Sequence, residues 1–170
     1  GAHCMKLSIV AFTAAAAIAA ASAHAQSDTK WNALARELLK ELIEINTTDT
    51  PAGNNTLAAE AMAKRLLAGG YAREDVQVLG PMETKKNLVV RLRGSGKQKP
   101  ILLLGHLDVV EALRSDWTTD PFQLVEKDGY FYGRGVLDMK SGLAIMTVSM
   151  LRLKQADFRP DRDLILALTA

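Results

Sequence analysis

The stretch ILLLGHLDVV, residues Ile101–Val110, reads as a buried strand that ends in two polar groups. Its first four residues are aliphatic, which is typical of a strand buried in a sheet. His106 and Asp108 follow at its carboxyl end, and burying such groups costs free energy unless a partner pairs with them. Residues two apart in an extended chain point the same way, so the imidazole and the carboxylate are expected on one side.

This pair has two interpretations. A neutral imidazole can bind a metal through one ring nitrogen while a carboxylate orients it through the other. The spacing also recurs by accident, and it equally describes a strand-end histidine capped by its neighbour. Asp138, in GRGVLDMKSG (Gly133–Gly142), bears on the choice. It stands where an N-cap is common, but it would also fall on the same carboxyl edge as His106, where it could bridge two cations.

The surrounding pattern alternates helices with apolar strands. Helical spacing predicts helices over Asp28–Ile45 (Ser27 or Asp28 as N-cap), from Thr56 to Gly69-Gly70, and from about Met139 to Asp157. Strands are predicted at Val76–Leu79, Asn87–Arg93, Pro100–Gly105 and Asp163–Thr169, with a hairpin turn at Asp128-Gly129. The alternation predicts an α/β layered domain with a mostly parallel sheet flanked by helices, and sites beyond the carboxyl ends of its strands.

The first residues are not expected to belong to the fold. Residues 1–4 resemble a cloning scar or a misassigned start, and residues 5–25 have the layout of a secretory signal peptide. An Ala-rich apolar run leads to a small-x-small site at Ala23-His24-Ala25, which predicts cleavage before Gln26 and a periplasmic or secreted protein. A membrane-anchoring helix is the alternative, but the run is short and alanine inserts weakly. Removal of the leader leaves no cysteine and one histidine, His106.

Composition suggests one globular domain and no nucleic-acid partner. The chain has 170 residues, 48% of them hydrophobic, and a formal net charge of +2. Such a length accommodates a single core, and nearly balanced, scattered charges do not indicate a polyanion-binding surface. One domain with a genuine core is therefore predicted, and cleavage of the leader is expected to leave no stable membrane anchor.

Three motifs in register carry a resemblance to a known family. LLLGHLDVV, DWTTDPF and DGYFYGRGVLDMKSG, in this order, resemble the zinc-dependent exopeptidase and deacylase family. That family includes acetylornithine deacetylase, succinyl-diaminopimelate desuccinylase, aminoacylase and the glutamate carboxypeptidases. The match is close from Leu102 to Gly142. Ser141 stands where the family commonly has glycine, which leaves the metal assignment intact.

The resemblance implies roles for individual residues. His106 would be a ligand of one zinc ion, and Asp108 would be the catalytic acid that orients it. Asp138 would bridge two zinc ions, and the Asp138–Met139 peptide bond would be cis. The remaining motif residues are interpreted as packing and turn residues: Trp117, Asp120, Pro121 and Phe122.

The implied reaction is metal-dependent hydrolysis of peptide or N-acyl amino acid amide bonds. Two zinc ions, with cobalt or manganese as alternatives, would activate water and polarise the carbonyl, and a glutamate would act as general base. In the family, that glutamate and further ligands follow a strand like the one that ends at Thr169. Residues 26–170 are therefore expected to be the N-terminal portion of a catalytic domain, inactive alone and without the lid domain that mediates homodimerisation.

Two alternatives stay open. One is the related group of co-catalytic zinc aminopeptidases, and the other is a non-catalytic truncated product. The identity of the small peptide or N-acyl amino acid substrate is not specified by these residues. The strand at Asp163–Thr169 is expected to form an aggregation-prone edge, because neighbours supplied from elsewhere would be missing.

Overall fold

The computed structural model describes residues 29–170. The expected leader, its cleavage site before Gln26 and the predicted N-caps Ser27 and Asp28 lie outside this range. Residues 35–170 form one compact unit. No helix in the described range combines the length and apolarity that crossing a bilayer requires.

Helices and strands alternate along the described chain as the pattern predicts. Helix α1 covers residues 29–44, α2 covers Asn55–Ala68 and α3 covers Ser141–Gln155. The strands are β1 Val76–Leu79, β2 Asn87–Leu92, β3 Ile101–His106, β4 Val125–Lys127, β5 Tyr130–Tyr132 and β6 Leu164–Thr169. The predicted α/β class is confirmed.

The main sheet is mixed, which corrects the prediction of a mostly parallel one. Its order is β1-β2-β6-β3, and within the described residues only the β3–β6 pair is parallel. A short connection at 80–86 joins β1 to β2, which suits antiparallel neighbours. A long crossover that contains α3 joins β3 to β6, and parallel neighbours need such a connection.

Both α2 and α3 pack on the same face of this sheet. Helix α2 contacts β1 and β2, α3 contacts β3 and β6, and the two helices contact each other. The covered face carries buried aliphatic side chains at Leu88, Val90, Leu166 and Leu168. Gly105 lies on this face, where an added Cβ would come within 2.5 Å of Leu143 Cδ2. Glycine therefore allows α3 to lie close to β3.

The opposite face explains two further corrections. Leu102 and Leu104 of β3 are 58% and 60% exposed, so the prediction that this stretch is buried is wrong among the described residues. The prediction that β6 is an edge strand is also wrong, because β6 lies between β2 and β3, and the edges of the described sheet are β1 and β3. An aliphatic run predicts a strand, but it reveals neither whether both of its faces are covered nor whether it has two neighbours.

Local turns follow their residue types closely. Asp128 and Gly129 join β4 to β5 with φ of 53° and 79°, which confirms the predicted hairpin. Helix α2 begins one residue before the predicted Thr56, and Asn54 caps it by accepting the Leu57 amide. Thr56 donates instead to the Glu83 carbonyl at 2.6 Å. The Thr56 hydroxyl therefore makes a tertiary contact, and Asn54, two residues earlier, caps the helix.

Candidate active site

The end of β3 and the loop before α3 bring the three predicted residues together. His106 is the last residue of β3, and Asp108 follows it by two positions. The ring nitrogen Nδ1 of His106 lies 3.1 Å from the Asp108 carbonyl oxygen and 3.3 Å from its Oδ1. Nε2 lies 3.0 Å from Oδ1 of Asp138. The expected convergence on one edge of the sheet is therefore present.

These contacts place a hydrogen-bond acceptor beside each ring nitrogen of His106. In the neutral tautomer that protonates Nδ1, the ring donates a hydrogen bond to the Asp108 carbonyl oxygen, which can only accept. Nε2 then presents a lone pair towards the carboxylate of Asp138. Two acceptors 3.0 Å apart require a cation between or beside them, either a proton or a metal ion.

The same surroundings raise the pKa of His106. Partial burial lowers this pKa, but the hydrogen bond with Asp138 and the nearby carbonyl and carboxylate of Asp108 together outweigh the burial. The site therefore favours a positive charge at Nε2, and a metal ion bound there would replace a proton, because a histidine ligand is neutral.

Asp138 does not cap the helix that follows it. Helix α3 begins at Ser141, and Lys140, the residue in the N-cap position, makes no side-chain capping bond. The backbone at Asp138 and Met139 is non-helical, and the peptide bond between them is cis, as the family resemblance implies. The side chain of Asp138 is 83% exposed. Of the two interpretations of this carboxylate, the geometry favours the one that places it beside His106.

The three side chains line an open cavity of about 450 Å³. Its wall is formed by residues that follow β3 and by the GRG turn: His106, Asp108, Val109, Val110, Gly133, Arg134, Gly135, Val136, Leu137 and Asp138. Leu137 is 93% exposed and Val110 is 71% exposed, so the rim beside the polar groups is apolar. The lining contains no glutamate.

The residues of the DWTTDPF motif, which lies between Val110 and the GRG turn, make packing and turn contacts, as predicted. The guanidinium of Arg134 lies over the Trp117 ring, 5.2 Å from its centroid. The Arg134 amide donates to the Pro121 carbonyl at 2.7 Å. Asp120 Oδ1 accepts the Phe122 amide at 2.8 Å, which closes a turn. These contacts hold the segment after Asp108 against the GRG turn.

Lys140 is completely buried, although no sequence pattern singled it out. Its Nζ donates to the carbonyl oxygens of Leu42 at 2.7 Å and Ile45 at 3.0 Å. Burial lowers the pKa of Lys140 to about 8. A lysine at this position gives no sequence signal of burial, because lysine is exposed in most proteins.

The donor set fits part of a zinc site. Imidazole nitrogen and carboxylate oxygen are both zinc ligands, and bonds of about 2.0–2.1 Å at the tetrahedral angle separate two ligand atoms by about 3.3 Å. The observed 3.0 Å between Nε2 and Asp138 Oδ1 is close to that value. Within residues 29–170 no group of three or more His, Cys, Asp or Glu is arranged to hold a metal ion. The described residues therefore supply a partial ligand set.

Curated relatives match most of this chain and about a third of their own length. A Staphylococcus aureus protein named "Probable succinyl-diaminopimelate desuccinylase" is 36% identical over 138 residues, which cover 79% of this chain and 32% of the relative. A Bacillus subtilis protein named "N-formyl-4-amino-5-aminomethyl-2-methylpyrimidine deformylase" is 33% identical over 135 residues, covering 76% and 30%. The chain thus spans about a third of the length of these proteins.

Solved structures show the same fold at lower identity. Human carnosine dipeptidase 1 superposes with a TM-score of 0.66 at 22% identity, over 84% of this chain and 32% of that one. An M20 family metallo-carboxypeptidase from Sulfolobus solfataricus superposes with a TM-score of 0.68 at 15% identity, over 79% and 30%. The family model for "Peptidase family M20/M25/M40" matches residues 102–170. Residues 102–170 therefore match a domain of peptidase family M20/M25/M40, and the chain is similar to part of a catalytic domain of that family.

Proposed function

We propose that the protein takes part in metal-dependent hydrolysis of amide bonds in small peptides or N-acyl amino acids. The observation that carries this proposal is the placement of His106 Nε2 3.0 Å from Asp138 Oδ1, with Nδ1 held by Asp108. The match of residues 102–170 to a peptidase family supports the reaction type. Zinc is the proposed metal, and two ions are proposed for the complete site.

The three residues would divide the work at this site. His106 would hold one ion through Nε2, and the carboxylate of Asp138 would be shared between two. Asp108 would accept a hydrogen bond from the Nδ1–H group, keeping the ring in one tautomer and one orientation. When bound, zinc supplies the polarisation of the scissile carbonyl and lowers the pKa of water. The open wall beside Asp138 leaves room for the substrate, and the apolar rim at Val110 and Leu137 would exclude water from it.

The described residues alone are proposed to bind zinc weakly and to lack useful activity. A catalytic zinc normally takes three protein ligands and a water molecule, whereas this site offers one imidazole and one carboxylate as ligands. Its cavity lining contains no glutamate that could act as general base. The lid domain and homodimerisation, which the resemblance implies, are proposed for the complete protein.

The test compares this polypeptide with the product of the whole reading frame that encodes it. Both are assayed with zinc on dipeptides and N-acyl amino acids. Activity is expected in the reading-frame product, and His106→Ala or Asp138→Asn should lower kcat/KM by more than the ~10–100-fold that loss of an orienting partner costs. Asp116→Asn, a carboxylate outside the cavity, is the matched control and should retain activity. A fully active His106→Ala variant, or a reading-frame product without amidase activity, would contradict the proposal.

We also propose that the protein is exported. This rests on the leader pattern at residues 5–25 alone. Expression in a secreting host followed by N-terminal sequencing should give Gln26 or a near neighbour. A stable protein that keeps its leader in the membrane would contradict export with cleavage.

A further inference from the structure

Lys140 is a buried cation whose partners are main-chain carbonyls. Its side chain is 0% exposed, and Nζ donates to the carbonyls of Leu42 and Ile45. Among the described residues no carboxylate pairs with it. Leu42 is in the last turn of α1 and Ile45 follows the helix. The last carbonyls of a helix lack intrahelical partners and carry partial negative charge, so the ammonium group satisfies the end of α1.

The backbone around Lys140 carries Asp138. The Lys140 amide donates to the Gly135 carbonyl at 2.8 Å, which closes a loop over residues 135–140. Gly135 has φ of 88°, and a Cβ there would lie 3.0 Å from Lys140 Cδ. The loop is thus wrapped around the buried lysine stem. Asp138 lies in this loop, two residues before the lysine.

The end of α1 is also connected to the other half of the site. Thr47, two residues after Ile45, donates its hydroxyl to the Leu107 carbonyl at 2.7 Å. Its own carbonyl accepts the Val109 amide at 3.1 Å. Leu107 and Val109 flank Asp108, so Thr47 holds the backbone on both sides of the residue that contacts His106.

These contacts form one continuous chain from Asp138 to Asp108. We propose that Lys140 is a positioning residue: by clamping the 135–140 loop to the end of α1, it sets the position of Asp138 relative to His106 and Asp108. This inference rests on the proposed function, since the position matters because metal is held there. Lys140 itself touches neither the cavity nor the proposed ligands; it acts through the segment that contains Thr47.

The test uses Lys140→Met, which keeps the length of the side chain and removes the donors. Lys64→Met on the exposed side of α2 is the matched control. Both substitutions are made in the product of the whole reading frame; its zinc affinity is measured by titration with Zn²⁺ alone, and the ligand geometry is read from the absorption spectrum with Co²⁺. We expect Lys140→Met to weaken zinc binding about 10–100-fold and to alter the Co²⁺ spectrum. Lys64→Met should change neither.

A purely structural role predicts a different pattern. In that case Lys140→Met would shift the urea midpoint, but the folded fraction would bind zinc with unchanged affinity, and this outcome would overturn the proposal. Thr47→Val removes the hydroxyl bond to Leu107 at nearly constant volume, and it should weaken zinc binding in the same direction. This second variant keeps the proposal testable if Lys140→Met does not fold, and unchanged affinity in Thr47→Val would then overturn it.

A metal-independent measurement separates this inference from the proposed function. Hydrogen exchange in metal-free protein should show reduced protection of the Val109 amide in Lys140→Met, with the β2–β6 ladder unchanged. If His106→Ala binds zinc as tightly as the unaltered chain, the proposed metal site fails, and exchange alone decides the clamp. Reduced Val109 protection would then support the clamp, and unchanged protection would overturn it.

Discussion

Replacing Gly135 by alanine should cost much more stability than the same replacement at Gly129. Both glycines have positive φ, 88° and 79° respectively, so each alanine is placed in the left-handed region. That conformation costs an L-residue with a Cβ about 1–2 kcal/mol. The two positions differ in the space around the added methyl group.

The additional cost at Gly135 comes from close contacts with buried neighbours. An added Cβ would lie 2.7 Å from Val109 Cγ1, 3.0 Å from Lys140 Cδ and 3.3 Å from Lys140 Cγ. Val109 and Lys140 are 4% and 0% exposed, so neither side chain can move into solvent. Overpacking of this kind costs about 1–3 kcal/mol. At Gly129 no atom lies within 4 Å of the added group.

We therefore expect Gly129→Ala to lower the free energy of unfolding by about 1–2 kcal/mol and Gly135→Ala by about 2–5 kcal/mol. Urea unfolding of the two variants and the unaltered chain, followed by far-ultraviolet circular dichroism and tryptophan fluorescence, gives both values. A Gly135→Ala chain already unfolded without urea agrees with the reasoning. Equal losses in the two variants would refute it, because steric contact with Val109 and Lys140 would then contribute nothing.

Two further predictions concern the exposed sheet face and acid stability. Leu104→Lys should reduce self-association in light scattering with little change in the urea midpoint, because Leu104 is 60% exposed on an edge strand. Leu166→Lys, at a buried position, is the control and should unfold the chain. A large loss of urea midpoint in Leu104→Lys would contradict the exposure of this sheet face. The Gly94 amide and the Arg91 guanidinium both bond the Asp163 carboxylate and lower its pKa below the usual value, so its contribution to stability is present above about pH 4 and is lost as pH falls further. The urea midpoint should drop more steeply between pH 5 and 3 in the unaltered chain than in Asp163→Asn, and parallel curves would refute this.

Elements governed by neighbouring residues in the chain were predictable. The period of apolar residues located α2 and α3, and the ends of the predicted strands β1, β2, β3 and β6 differ from the observed ends by at most one residue. Asp128-Gly129 forms its hairpin because these two residue types tolerate positive φ. The placement of His106 and Asp108 on one side follows from the geometry of an extended chain.

The arrangement of the sheet was not predictable in the same way. Both β3 and β6 are aliphatic, and nothing in either run distinguishes the edge strand from the central one. The mixed pairing depends on the lengths and paths of connections, and those act through the whole chain. Exposure of Leu102 and Leu104 depends on which face the helices cover.

In the candidate site, too, short segments determine some features and tertiary packing determines others. Residue types and their spacing along the chain made His106, Asp108 and Asp138 candidates, because hydrogen-bonding chemistry and backbone periodicity belong to short segments, and the family resemblance implied their roles. Folding alone assigned Nδ1 of His106 to the Asp108 carbonyl, brought Asp138 to Nε2, and buried Lys140 beneath the end of α1. The first of these contacts joins residues two apart, whereas the other two join segments separated by 32 and 98 residues. Such long-range contacts form only when packing of the core brings distant segments together, and no local pattern encodes the neighbours that packing provides.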